Sequence, residues 1–192
     1  MNLDCVILAA GAASRFGSCK LSEPYQGQPV ISYAIAAVQS LSPARIVVVS
    51  GAHHQQLKML SVMTAVELHY CELWQQGMGY SLSFGVRQLE NANPVMILLA
   101  DQPHITSNDV QCLWRAWNAH PEKIICARFG NVLGVPAIFP AHCKSQLMAC
   151  AGDRGAKHIL LSCADDRIDI EMPNAAFDID VPDDLHRPLA II

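Results

Sequence analysis

Residues 8–20 read LAAGAASRFGSCK, and Arg15 and Lys20 are the only basic side chains among the first forty-four residues. Small residues let backbone N–H groups approach phosphate oxygens, where a bulky side chain would hold an anion away. Two cations placed this sparingly can neutralise a triphosphate or a leaving pyrophosphate. The candidate nucleotide-binding residues are therefore Leu8, Ala9, Ala10, Gly11, Ser14, Arg15, Gly17 and Lys20. Two commoner phosphate loops do not fit. A dinucleotide fingerprint needs glycine where Ala13 stands, and a Walker A loop needs its lysine directly after the second glycine, with Ser or Thr following. The same stretch also reads as an ordinary strand-to-helix connection.

Three further groups carry chemistry. Asp101 follows the apolar run VMILLA and precedes Pro103, where a carboxylate faces the ligand crevice of an open α/β sheet and suits Mg²⁺; a turn or capping aspartate before proline is the plainer reading. Asp178 and Asp180 stand two apart, on one face if the chain is extended. Asp183 and Asp184, after Pro182, read as caps of a last helix. In GMGYS, Gly77 and Ser81 offer backbone groups and a hydroxyl to a base edge, or simply start a helix. In GDRGAK, Arg154 and Lys157 beside two glycines suit a second anion, or mark a helix end followed by a helix start. The histidines, His53 and His54 included, show no ligand spacing.

These residues need a scaffold. Nearly continuous Val/Ile/Leu runs at 4–9, 45–50 and 95–100 read as strands buried on both faces, with further strands at 66–71, 123–127 and 167–172. Helical periodicity fills 29–41, 78–90 and 107–119, the last opening on the capping signal TSND. The alternation predicts a single α/β domain: a Rossmann-like, doubly wound, mainly parallel sheet with helices on both faces. After residue 130 we expect a strand broken by Gly134 and Pro136, helices at 141–150 and 155–162, and a C-terminal third that caps the sheet edge.

The chain has 192 residues, a formal charge of −4 and no basic stripe, which argues against nucleic acid or an acidic membrane as partner. No apolar run approaches bilayer-spanning length, and no basic region precedes the first apolar run as in a signal peptide. Eight cysteines without CxxC or zinc-finger spacing predict a reduced, cytoplasmic protein. Cys19, beside Lys20, reads as an incidental loop residue.

The pattern L-A-A-G-x-x-S-R-x-G-x-x-K resembles the signature of MobA-like nucleotidyltransferases, most nearly the molybdenum cofactor cytidylyltransferases. PYQGQPVI (24–31), WQQGMGYSL (74–82), LLADQP (98–103), GVPAIF (134–139), GDRGAK (152–157) and DIDVPDDL (178–185) resemble further family blocks in the same order. LSEP (21–24) is more polar than usual there, and Val181 stands where threonine is common. The resemblance implies transfer of CMP from CTP to molybdopterin, with or without molybdenum, and release of pyrophosphate. It implies Lys20, Arg15 and Asp101 as catalytic residues and Mg²⁺ on Asp101 and Asp180. It further implies Gly77 and Ser81 at the nucleotide, and Gly134, Pro136, Gly152, Asp153 and Arg154 at the acceptor. LAAG is the form of the CTP-using subgroup, where LAGG marks guanylyl transfer, and the Ala10 methyl would narrow the base pocket. Residues 1–105 would form the nucleotide-binding part and 106–192 the acceptor side, with docking to a molybdenum hydroxylase a further expectation. Rival readings are the same chemistry on a sugar 1-phosphate or phosphocholine, a non-catalytic cofactor-delivery factor, and, less well matched, an NAD-binding domain.

Overall fold

The computed structural model describes residues 2–89 and 92–188. In chain order the elements are β1 (Asp4–Ala9), the short hairpin β2 (Pro24–Tyr25) and β3 (Gln28–Pro29), α1 (Val30–Gln39), β4 (Arg45–Ser50), α2 (His54–Lys58), β5 (Glu67–Tyr70) and α3 (Met78–Arg87). There follow β6 (Val95–Leu99), α4 (Ser107–Ala119), β7 (Ile124–Phe129), β8 (Val132–Phe139), α5 (Lys144–Met148), α6 (Ala156–Ser162) and β9 (Arg167–Glu171).

The seven-stranded sheet runs β5-β4-β1-β6-β8-β7-β9. Pairings β5–β4, β4–β1, β1–β6 and β7–β9 are parallel, and β8 runs antiparallel between β6 and β7. The apolar strands are continuous because successive residues enter different layers. In β1, Cys5, Ile7 and Ala9 join the core under α1 and α4, while Val6 joins the core under α3, α5 and α6. In β6, Met96 and Leu98 face the first layer and Val95 and Ile97 the second.

The helices form where periodicity places them. α1 buries Ile31, Ala34, Ile35 and Val38 on one face. α4 begins on a capping box, with the Thr106 side chain accepting from the Asp109 N–H and Asp109 returning to the Thr106 N–H. Glu90, the end of the helix expected at 78–90, lies outside the described residues, as does Leu189 beyond the last turn.

The final third departs from expectation. Expected as a cap or acceptor side over the sheet edge, it contributes two strands, β8 and β9, which with β7 extend the sheet beyond β6. Gly134 and Pro136 do not break β8. Ala127 pairs with Gly134 and Cys126 with Ala137, so Val135 and Pro136 are extra residues with no counterpart on β7. A proline lacks the N–H that ladder pairing requires, so the irregularity accommodates it without ending the strand. The expected helix at 141–150 is a 3-10 turn at 141–143 followed by the short α5.

Register brings the site together. Ala9 pairs with Ser50 and Leu8 with Leu99, so the loops leaving β1, β4 and β6 emerge side by side at the strands' carboxyl ends. No helix among the described residues is long and apolar enough to cross a membrane.

Candidate functional site

The loop after β1 is held by one carbonyl. Ala13 accepts the N–H groups of Phe16 (2.9 Å) and Gly17 (3.0 Å), with Ala13 and Gly17 both at positive φ. Cys19 and Leu21 are buried on either side of Lys20 and fix its backbone against the core. The Lys20 stem therefore points along a cleft walled by Leu8, Ala9, Gly11, Ser14 and Asp101.

At its end lies the centre of the site. Lys20 Nζ is 2.6 Å from Asp101 Oδ2, 2.5 Å from the Ile179 carbonyl and 3.4 Å from Asp180 Oδ1. Arg15 Nη2 meets the other Asp180 oxygen at 3.0 Å. Residues separated by some 160 positions converge here because the Ile179 N–H donates to the Asp101 carbonyl at 2.9 Å, docking the C-terminal segment on the exit of β6.

That segment is itself fastened. Buried Asp184 accepts the N–H groups of Asp180 (2.9 Å) and Val181 (3.0 Å) through Oδ2 and pairs with Arg187 through Oδ1 at 3.2 Å. Burial works to raise its pKa, but the two N–H donors and Arg187 together hold the carboxyl below its ordinary range. Asp184, not Asp183, thus fills the expected capping role, over a 3-10 turn at 182–186. Asp178 behaves oppositely. Burial and then the neighbouring Asp101 charge push its carboxyl up, against opposing help from Gln102 and Lys20.

A second cleft adjoins the first, sharing Leu8, Gly11 and Asp101, and is walled by Ala10, Trp74, Met78 and Ser81. Gly77 does not line it. Gly77 has φ +114°, and a Cβ there would stand 2.4 Å from the Gly152 carbonyl oxygen. The Gly79 N–H donates to that oxygen at 2.8 Å. The glycines of GMGYS and GDRGAK therefore let two loops touch, joining segments expected to serve nucleotide and acceptor separately.

A third cleft is largely apolar, with Met78, Phe129, Val132 and Leu133 on its walls and Gln102, Asp153, Lys157 and Asp178 as its polar members. Asp153 borders both this cleft and the second. Gly134 lies on its wall against the Phe129 ring, but Pro136 is buried in β8. Arg154 borders a different depression between α5 and α6, with His158 and Gln146.

Sequence reasoning passed over several of these residues. His53, on the wall of the first cleft, has Nε2 3.0 Å from the Ala12 carbonyl and so braces the loop after β1 from the β4 exit. Trp74, Met78, Phe129, Val132 and Leu133 carry no sequence signal that separates a cleft wall from a core. Gln102, which donates to the Ala175 carbonyl at 3.0 Å, stood inside the noted ADQP block.

Among the described residues no three or more His, Cys, Asp or Glu side chains form a cluster able to hold a metal. Asp101 and Asp180, however, both reach a single cation, the Lys20 ammonium. Two carboxylates open to the first cleft fit a divalent cation such as Mg²⁺, which binds through one or two carboxylates and completes its shell with other oxygens.

Comparison with known proteins establishes the family. "Purine catabolism protein PucB" of Bacillus subtilis (strain 168) is 30% identical over 166 residues, spanning 82% of this chain and 80% of that one. The "Bifunctional protein GlmU" of Janthinobacterium sp. (strain Marseille) is 31% identical over 135 residues, 69% of this chain but only 29% of that protein. Rv0371c of Mycobacterium tuberculosis H37Rv shares the fold over 98% of this chain and 97% of its own at TM-score 0.84 and 19% identity. Its manganese complex superposes at TM-score 0.80 and 18% identity, over the whole of both chains. The MobA-like NTP transferase domain matches residues 5–167, and the chain belongs to that family of nucleotidyltransferases.

Proposed function

We propose that the protein transfers CMP from CTP to the phosphate of molybdopterin, releasing pyrophosphate. The observation that carries this reading is the convergence of Lys20, Asp101 and Asp180 at the mouth of the glycine-containing loop. An oxygen of the acceptor phosphate forms a bond to the α-phosphorus of CTP as the bond from that phosphorus to the bridging oxygen of the β-phosphate breaks. The acceptor is already anionic near neutral pH, so no general base is needed. Catalysis then rests on positioning and charge. Lys20 and Arg15 draw the triphosphate into the first cleft and offset charge on the departing pyrophosphate. Asp101 and Asp180 would hold Mg²⁺, which would supply Lewis-acid stabilisation of the charge that develops on the phosphates.

The second cleft takes the base. The Ala10 methyl on its wall favours a pyrimidine over a purine, and Ser81 supplies a hydroxyl to its edge. The third cleft takes the acceptor. Its apolar walls suit a planar heterocycle better than a sugar phosphate, which asks for many hydrogen-bonding groups. The acceptor side falls within 106–192 and the phosphate loop within 1–105, while Asp180 returns from the second part to complete the first. The eight free cysteines accord with a reducing cytoplasm. A molybdenum hydroxylase would receive the product.

The test is pyrophosphate release by purified protein with Mg²⁺ and molybdopterin, supplied with CTP, GTP or ATP in parallel. Release with CTP alone is expected. Release with none, followed by release on a panel of sugar phosphates, would replace the acceptor. Asp101→Ala separates an enzyme, which loses turnover, from a delivery factor, which keeps delivering cofactor.

A further inference from the structure

Lys20 is unusual among the charged groups of the site because every partner it has is also wanted by something else. Its side chain is only 13% exposed, against 73% for Arg15. Its ammonium lies against Asp101 Oδ2, Asp180 Oδ1 and the Ile179 carbonyl oxygen, three hard oxygen donors around one cation. Those oxygens are the set a divalent ion would choose.

We infer that Lys20 is the internal counter-ion of the Asp101–Asp180 pair and the determinant of when a metal binds. A divalent cation arriving alone must displace the ammonium or share oxygens with it, and two cations crowded on the same carboxylates repel. The lysine stem is anchored between buried Cys19 and Leu21, but its ammonium is a compact charge on a flexible chain. Nucleotide phosphates seated in the loop, on the same cleft wall, offer it oxygens in exchange. Metal and nucleotide therefore bind cooperatively, and each tightens the other by the same factor. Arg15 has no such role. It touches only the outer oxygen of Asp180 and is mostly in water, where screening leaves it little leverage.

This inference rests on the assignment of Asp101 and Asp180 as metal ligands. Its test is Mn²⁺ binding to the full chain without nucleotide, read by the loss of the free-ion electron paramagnetic resonance signal. The wild type should bind Mn²⁺ weakly, and Lys20→Met should tighten it about tenfold or more, within the usual range of coupling between sites. Arg15→Met should change it by less than about fivefold, the scale of an exposed pair. Lys20→Gln serves the same purpose should Lys20→Met fail to fold. A wild type that holds Mn²⁺ as tightly as either lysine variant, or an Arg15→Met gain equal to theirs, overturns the role of Lys20. Lys20→Met combined with Asp101→Asn should lose the gain. If the double variant keeps it, the metal assignment itself falls and takes the inference with it.

Discussion

Charged residues gather at both ends of this sheet, and the two gatherings do opposite things. At the amino ends of the strands Asp4 is wholly buried, with Asn93 Nδ2 3.4 Å from each of its oxygens. Arg45 grips Glu67 through two nitrogens, at 2.8 and 2.5 Å, and also donates to the Gln88 carbonyl. The hydrogen bonds from Arg45 outweigh burial and hold the Glu67 carboxyl below its ordinary range. Lys144 is buried beneath this layer, its pKa lowered by burial against the pull of Asp4. At the carboxyl ends one ammonium serves two acids and a carbonyl beside open clefts, and a third acid, Asp178, is pushed up. A network whose donors match its acceptors stabilises a fold. One left with surplus acid facing a cleft is poised for a ligand.

The sharpest way to break this contrast is to neutralise one charged side chain at each end. Asp101→Asn should cut pyrophosphate release about a hundred- to a thousandfold, as loss of a transition-state charge partner does. Its urea midpoint should move less than that of any variant at the other end. Lys144→Met should do the reverse. Removing one member of a buried charged set costs about 3 kcal/mol, read from urea unfolding, while activity per folded molecule stays the same. If Asp101→Asn unfolds the protein and Lys144→Met silences it, the assignment of the two ends is inverted.

A smaller effect separates the open end's clefts from one another. Ala10→Gly removes one methyl from the wall of the second cleft. A methyl in a substrate pocket decides about a tenfold preference, so the ratio of GTP to CTP turnover should rise by about that factor. Stability should fall by no more than about 1 kcal/mol from added backbone freedom. An unchanged ratio would mean that the base is chosen by something other than the width of this cleft.

The two ends were not equally legible in the sequence. The loop after β1 stood out as a candidate because small residues and sparse cations are local features. The strands of the first half could be read because alternate burial in two layers leaves an unbroken apolar run. The influence of the Asp4 charge on Lys144 could not be read, since 140 positions separate them and neither sits in a motif. The β8 reading failed at Pro136 because a strand tolerates proline where pairing already skips, which only the partner strand reveals. Gly77 was read as giving access to a base, yet its bare Cα makes room for the Gly152 carbonyl. The resemblance placed Arg154 with Asp153, and the GDRGAK spacing placed it with Lys157, yet Arg154 borders a different depression from both.

The finest test uses two acids of the same C-terminal segment whose pKa values move in opposite directions. Asp184 is held below the ordinary aspartate value, so its charge adds stability above about pH 4 that is lost as pH falls through its lower folded value. Asp184→Asn should therefore lower the urea midpoint at pH 7, and the gap to wild type should close on acidification below about pH 4. Asp178 is raised, so its charged form costs stability above its folded pKa, and that cost disappears as the group protonates. Asp178→Asn should raise the midpoint at pH 7, with the gain fading as pH drops through that raised value. Opposite signs from residues six apart would separate an acid that fastens the segment from one that the open cleft leaves in excess. Equal signs would mean that Asp178 has found a partner as good as the one Asp184 finds in the backbone, and the surplus of acid at this end would be gone.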